Sequence, residues 1–185
     1  MQYRNMNTPR SSNKYRLHFM KNNIILSFII FLNITLVNAQ SFPDQCVGTW
    51  NGTMNIFSRG SLKDSVKVIL TVAKGSQPNE WTWKTEYLSE KLPMTKDYVL
   101  RLKDVEKNIY VTDERNGIEL MDYIFNNKLY SIFETQGIFL TSSYELRDKD
   151  LIFEVTSGKK TSTTDQQVTN YSVDNLQRVV FKKVQ

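Results

Sequence analysis

Short segments in which apolar and polar side chains alternate fill the sequence after residue 39. In residues 66–72 every even position is valine or leucine, and in residues 81–87 every odd position is tryptophan, threonine or tyrosine. A period of two is that of a β-strand, whose successive side chains point to opposite faces. No stretch carries a long apolar stripe at helical spacing, so we predict an all-β chain. The predicted strands are residues 50–56, 66–72, 81–87, 98–103, 108–112, 117–125, 128–134, 137–146, 151–156, 167–173 and 176–184.

Turn-forming residues lie between these segments and not within them. Gly60-Ser61, Asn116-Gly117, Asn126-Asn127 and Gln136-Gly137 are examples, and such residues tolerate positive φ or hydrogen-bond their own backbone. Strands joined by so few residues must pair antiparallel, because a parallel return needs a crossover of about a dozen residues. A meander of strands removes its exposed edges by closing into an up-and-down antiparallel β-barrel, which we predict here. A sandwich of two β-sheets is the alternative.

The first 39 residues differ from the rest of the chain. They contain five basic residues and no acidic residue, and an apolar run of 14 residues, 24–37, ends close to Ala39. This arrangement is typical of an export signal, and the run is shorter than the about 20 apolar residues of a membrane span. We therefore predict a signal peptide over residues 1–39 and a periplasmic or secreted protein that has no membrane span after cleavage. We also hypothesise that translation starts at Met20, since residues 20–39 already form a compact signal.

Residues 40–185 are predicted to form a single domain, and their composition excludes several functions. Their 19 basic and 19 acidic side chains cancel, which gives no electrostatic reason to expect nucleic-acid binding. They contain no histidine, so a Ser-His-Asp triad or a histidine-ligated metal cannot form. We predict no catalytic residue, no metal, no cofactor and no enzymatic activity. A lone cysteine, Cys46, excludes an internal disulfide and is interpreted as a small buried side chain.

Gly48-Thr49-Trp50 opens the first predicted strand. This Gly-x-Trp pattern resembles the motif of lipocalins and the wider calycin-type barrels, and residues 40–185 as a whole resemble the lipocalin-like proteins of bacterial envelopes. The resemblance implies that Trp50 packs at the closed end of the barrel and that a basic residue of the last strand lies across its ring. Arg178 is the matching residue in this sequence, so we expect a cation–π contact between Arg178 and Trp50. The internal disulfides of many eukaryotic lipocalins have no counterpart here.

In such a barrel one face of each strand lines the interior. Three aromatic residues share one face of the predicted strand 81–87, and a tyrosine opens the apolar face of the next strand. Pockets for small apolar molecules have this composition, with a few polar groups that fix orientation. The sequence leaves open whether these rings line a pocket or fill the barrel completely. The candidate ligand-binding residues are Trp81, Trp83, Tyr87, Tyr98 and Tyr144, with Ser131 and Ser142 as further polar contacts.

These observations favour an exported, non-enzymatic, lipocalin-like protein that binds a small hydrophobic or amphipathic ligand. The alternative is a periplasmic or secreted interaction or inhibitor module, in which the barrel has a solid core and contacts an envelope protein partner. An internal cavity favours the first function, and an exposed apolar patch favours the second.

Overall fold

The computed structural model describes residues 40–161 and 167–184, which form ten β-strands and one short helix, α1. The predicted signal peptide at residues 1–39 lies outside the described residues and stays a prediction. The elements in chain order are α1 (Phe42–Cys46), β1 (Gly48–Ser58), β2 (Ser61–Lys74), β3 (Glu80–Leu88), β4 (Met94–Asp104), β5 (Ile109–Asp113), β6 (Glu119–Phe125), β7 (Lys128–Thr135), β8 (Ile138–Arg147), β9 (Asp150–Lys159) and β10 (Asn175–Lys183).

The ten strands close into an up-and-down antiparallel barrel. Each strand pairs with its sequence neighbours, and β1 pairs with β10 to complete the ring. At this closing seam Asn55 lies opposite Arg178, and the Val184 N–H donates to the Thr49 carbonyl over 2.8 Å. Gly52 allows the close approach of the two strands, because a Cβ atom there would lie 2.5 Å from a methyl group of Val179. The predicted barrel is confirmed, and the alternative sandwich is not formed.

One predicted strand, residues 167–173, is not a strand. It is joined to β9 and the residues after it by an isolated bridge between Lys160 and Tyr171 and by backbone hydrogen bonds, such as the one from the Ser172 N–H to the Lys159 carbonyl over 2.8 Å. Val168 and Val173 are 50% and 69% exposed, so the alternation in this segment does not produce a buried face. Burial of one face provides most of the stability of a strand at the edge of a sheet, and this segment lacks it.

The tight turns between strands have the backbone conformation that their residues favour. Arg59 and Gly60 both have positive φ between β1 and β2, and Gln136 and Gly137 repeat this between β7 and β8. Two successive residues with positive φ form the two-residue turn whose twist matches that of the flanking strands. These turns fix the register of the hairpins, and hence which residues face the interior.

Helix α1 packs over one end of the barrel, which we call the closed end. Ser41 caps the helix by accepting a hydrogen bond from the Asp44 N–H, and Phe42 and Cys46 are buried. Burial raises the pKa of the Cys46 thiol, so the interpretation of this cysteine as a small buried side chain is confirmed. The buried apolar side chains around it include Trp50, Met54, Leu70, Trp81, Tyr110, Leu151 and Phe181.

Trp50 lies at the closed end, but the cation over its ring is not the expected one. The Trp50 Nε1–H donates to the Cys46 carbonyl over 2.7 Å, and Lys183 Nζ lies 5.1 Å from the ring centroid. The expectation for Arg178 is wrong, because side chains of β10 alternate and Arg178 is on the outer face. There its Nε lies 3.3 Å from a carboxylate oxygen of Glu154 on β9. Lys183 is five positions further along and therefore faces inward.

Candidate functional site

The half of the barrel away from α1 contains a cavity of about 230 Å³ that is partly open to solvent. Side chains from β3 to β10 line it, and most of them are aromatic or aliphatic. Its polar and charged residues are the minority and lie on several different strands. The lining residues are Trp83, Thr85, Tyr87, Lys96, Tyr98, Leu100, Thr112, Glu114, Leu120, Asp122, Leu129, Ser131, Phe133, Leu140, Ser142, Tyr144, Phe153, Val155 and Gln177.

A row of three aromatic rings forms one wall of the cavity. Tyr144 packs against Phe153 with ring centroids 4.3 Å apart, and its other side meets the edge of Trp83 at 5.1 Å. The Trp83 Nε1 atom is buried and has no hydrogen-bond partner among the described residues. Burial raises the pKa of Tyr144, so its hydroxyl stays protonated at neutral pH.

Four of the five predicted ligand-binding residues line the cavity. Trp83 and Tyr87 are on β3, Tyr98 is on β4 and Tyr144 is on β8. Burial raises the pKa of the Tyr87 and Tyr98 hydroxyls as well, and Glu114 adds to the effect at Tyr98. These tyrosines therefore offer neutral hydroxyl groups at neutral pH. Whether they bind a ligand stays a prediction.

Trp81, the fifth predicted residue, belongs to the closed end and does not line the cavity. Its Nε1–H donates to Asp44 Oδ1 of α1 over 2.7 Å, and its ring packs against Tyr110 with centroids 6.2 Å apart. Trp81 and Trp83 share a face of β3, but Trp81 is two residues closer to the helix. The pairing with Asp44 explains why its role is structural.

Asp122 is the cavity residue that sequence reasoning missed. It is only 2% exposed, and its Oδ2 atom accepts a hydrogen bond of 2.6 Å from the Thr112 hydroxyl. Burial raises the pKa of Asp122 to about 6, although hydrogen bonds from Thr112 and Ser131 partly oppose the change. Asp122 forms no ion pair with any side chain of residues 40–161 or 167–184.

A sequence signal for Asp122 exists. It is the only charged residue between Leu120 and Ile124, in a segment that is apolar on both sides. It shares a face of β6 with those two residues, and the structure places this face inward. Lys96 and Glu114 also belong to the lining, at the end of the cavity away from α1. The predicted polar contacts Ser131 and Ser142 line it as well.

The outer face of the β6–β7 hairpin carries an exposed apolar patch. Tyr123, Phe125, Tyr130 and Ile132 form it, and they are between 38% and 65% exposed. The Phe125 and Tyr130 rings meet edge to face, with centroids 6.1 Å apart. Both features that distinguish the two predicted functions, a cavity and an apolar patch, are therefore present.

The barrel and its interior define a lipocalin-like fold with an internal cavity. No protein-family model matches the chain, and no curated protein matches it. Among solved structures, the chain is similar to the S-type phycobiliprotein lyase CPES from Guillardia theta, with a TM-score of 0.57 and 7% identity. The match covers 78% of this chain and 91% of that chain. Within the part of the chain described, no helix is both long enough and apolar enough to cross a membrane.

This comparison corrects the prediction that the chain is not an enzyme. A phycobiliprotein lyase has a barrel similar to this one, so the fold gives no support to a non-enzymatic assignment. The prediction depended on the absence of histidine from residues 40–185. A carboxyl group with a pKa of about 6, as at Asp122, can also exchange a proton near neutral pH.

Proposed function

We propose that this protein binds a small hydrophobic or amphipathic molecule inside its barrel. The cavity of about 230 Å³, with its wall of aromatic and aliphatic side chains, is the observation that supports the proposal. An apolar cavity of about 150 Å³ holds one benzene molecule, so this one has space for roughly nine non-hydrogen atoms, and a larger ligand would extend through its open side. Burial of apolar ligand surface contributes roughly 25 cal/mol per Å², and tyrosine and serine hydroxyls orient its polar end.

The experiment is a fluorescence titration of the purified protein with N-phenyl-1-naphthylamine, a neutral apolar probe. The probe is larger than the cavity, so one of its ring systems enters while the other lies at the open side. Ser142 lines the cavity, whereas its neighbour Ser143 does not. We expect Ser142→Phe to weaken probe binding at least tenfold, because the ring occupies ligand space. Ser143→Phe adds the same ring on the outer face and is the matched control. Equal binding by both variants would show that the probe binds elsewhere, and would contradict the proposal.

Export is part of the proposal. The apolar run at residues 24–37 and the small residue Ala39 support it. N-terminal sequencing of the protein recovered from the periplasm or the medium should find Gln40 first. Sequencing of the unprocessed precursor tests the start at Met20, and a precursor that begins at Met1 would contradict that start. We also propose membership in the lipocalin-like proteins of bacterial envelopes, on the basis of Gly48-Thr49-Trp50.

A protein partner is the second candidate function. The exposed apolar patch on the β6–β7 hairpin favours it, since large exposed apolar patches often mark interaction sites. The cavity contradicts the solid barrel core that this alternative assumed. An envelope partner therefore stays a prediction that concerns the outer face alone.

A further inference from the structure

The charged groups of the cavity wall favour a positively charged ligand. Two carboxylates, Asp122 and Glu114, and one ammonium group, Lys96, line it, which leaves one net negative charge. Lys96 lies near the end away from α1, where its Nζ is 5.6 Å from the centroid of the Tyr98 ring. Neither carboxylate forms an ion pair with a side chain of residues 40–161 or 167–184, and Asp122 is the one that is fully buried.

The Asp122 carboxylate is fixed in position and can accept a hydrogen bond from a ligand. The Thr112 hydroxyl fixes its Oδ2 atom, and the barrel wall removes 98% of its surface from solvent, since it is only 2% exposed. A buried carboxylate without a cation is unfavourable, and this cost has already been met when the protein folds. A cation that reaches Asp122 therefore gains an interaction with a group that needs no further desolvation.

The aromatic wall of the cavity also favours a positively charged ligand. The faces of aromatic rings attract cations, and cages of such rings recognise ammonium groups. Trp83, Tyr144 and Phe153 line the same cavity as Asp122. A carboxylate ligand would instead meet an unpaired negative charge in an apolar surrounding, which is repulsive.

We propose that the cavity binds a small apolar molecule that carries a protonated amine, and that Asp122 accepts this amine. The inference rests on the proposed binding function and names its ligand class. The apolar part of the ligand lies against the aromatic wall, and the ammonium group donates a charge-assisted hydrogen bond to the carboxylate.

The test compares three ligands with the same chain and different head groups. Octylamine is protonated at pH 7.5, octan-1-ol is neutral and octanoate is negative. Each is titrated against the protein loaded with N-phenyl-1-naphthylamine, and displacement of the probe is measured. We expect octylamine to bind at least tenfold more tightly than octan-1-ol, and octanoate to bind more weakly than either.

Substitutions locate the head group. Asp122→Asn should bring the affinities for octylamine and octan-1-ol to within about threefold of each other, with octan-1-ol binding retained. Asp64→Asn, which changes an exposed carboxylate on β2, is the control and should leave the preference unchanged. Loss of the preference in Glu114→Gln, and not in Asp122→Asn, would overturn the assignment of Asp122.

A pH titration of the wild-type protein gives an independent measurement. The preference for octylamine should fall as the pH drops through about 6, where Asp122 takes up a proton. The groups packed around it do not titrate in this range, since they are the Thr112 and Ser131 hydroxyls and the Tyr110 ring from β5 and β7. The other titratable groups in the cavity lining are Lys96, Glu114, Tyr87, Tyr98 and Tyr144.

The outcomes separate this inference from the proposed function. If none of the three ligands displaces the probe, and Ser142→Phe leaves probe binding unchanged, the binding function itself fails. If octan-1-ol displaces the probe as well as octylamine does, the cavity binds ligands but does not select an amine. A wild-type preference that is independent of pH between 5 and 7.5 would likewise overturn the role of Asp122.

Discussion

At the scale of single residues, Asp122 places a carboxyl group where its charge destabilises the folded protein. Its pKa of about 6 in the barrel exceeds the ordinary value of 3.8, so the folded state binds the proton more tightly than the unfolded state does. The contribution of Asp122 to stability is therefore most favourable below pH 3.8 and is lost as the pH rises through 6. A difference of this size corresponds to about 3 kcal/mol.

The first prediction follows from the direction in which the stability contribution of Asp122 changes with pH. Asp122→Asn removes the ionised form, so the free energy of unfolding of the variant, relative to wild type, should increase between pH 4 and pH 7.5 by about 2–3 kcal/mol. Urea denaturation at the two pH values measures it, with Asp64→Asn as the control. A difference in stability between variant and wild type that is the same at pH 4 and pH 7.5 would show that burial does not destabilise the carboxylate.

The second prediction concerns the cation over Trp50. Lys183→Ala should lower the free energy of unfolding by about 0.5–1 kcal/mol, because it removes the cation–π contact. Arg178→Ala should cost less than about 0.5 kcal/mol, since Arg178 and Glu154 form an exposed ion pair. Urea denaturation of both variants gives the comparison. A larger loss for Arg178→Ala would restore Arg178 to the role that the resemblance suggested.

At the scale of elements, α1 and β3 are joined through a single carboxylate. Asp44 accepts hydrogen bonds from Trp81 and Lys74. Partial burial would raise the pKa of Asp44, but the hydrogen bonds that its carboxylate accepts from Lys74, Trp81 and the Ser41 hydroxyl outweigh it, so the pKa is lowered. The stability that Asp44 provides is present above pH 3.8 and is lost below it.

The third prediction tests this junction. Asp44→Ala leaves the indole N–H of Trp81, a residue only 3% exposed, without its partner, so unfolding should become easier by about 1–3 kcal/mol. Urea denaturation measures the loss, with Asp64→Ala as the exposed control. Binding of N-phenyl-1-naphthylamine should stay within about twofold of wild type, since Trp81 is outside the cavity. A strong loss of binding would place the closed end within the ligand site.

The same element shows what alternation can and cannot predict. A period of two correctly places Trp81 and Trp83 on one inward face of β3. It does not say how far along the barrel axis each residue lies, because that depends on the stagger between strands and on the position of α1. The cavity therefore contains Trp83 and not Trp81.

Arg178 and Asp122 show a second limit of predicting side-chain direction from the sequence pattern. On β10 the polar and apolar residues alternate irregularly, so the pattern alone does not distinguish an inward from an outward Arg178. On β6 both faces are apolar in composition, which hid the inward position of Asp122 until the pairing of Asp122 with Ser131 and Tyr110 was known. Strand order and closure were predictable, whereas the direction of individual polar side chains required the register.

At the scale of the whole molecule, closure of the barrel brings the two ends of the described domain together. β1 and β10 pair along the seam, and Val184 is hydrogen-bonded to Thr49. The turn at Gln136 and Gly137 lies on the surface, and nothing lies within 4 Å of a Cβ atom built on Gly137. Exposed turns of this kind tolerate a break in the chain.

The fourth prediction uses this geometry. A circular permutant that joins Val184 to Gln40 through about eight Gly/Ser residues, a span of roughly 14–17 Å, and begins at Gly137 should fold. Its affinity for N-phenyl-1-naphthylamine should be within about threefold of wild type. A permutant opened between Ser142 and Ser143, inside β8, is the control and should not fold. Circular dichroism and the probe titration distinguish them; failure of both permutants would mean that closure depends on the native chain order.

The seam between β1 and β10 also sets the timing of folding in the cell. The strand that is synthesised first in the barrel pairs with the strand that is synthesised last. The hairpins between them can form as the chain emerges, since each needs only its nearest neighbours. Pairing of β1 with β10 instead closes a loop that contains all the strands between them, and this closure has the largest entropic cost. Until β10 has left the ribosome, β1 presents an unpaired edge and the interior is open to water. Under the proposed export, a translocation machinery that requires an unfolded substrate would therefore have the whole period of synthesis in which to engage this chain.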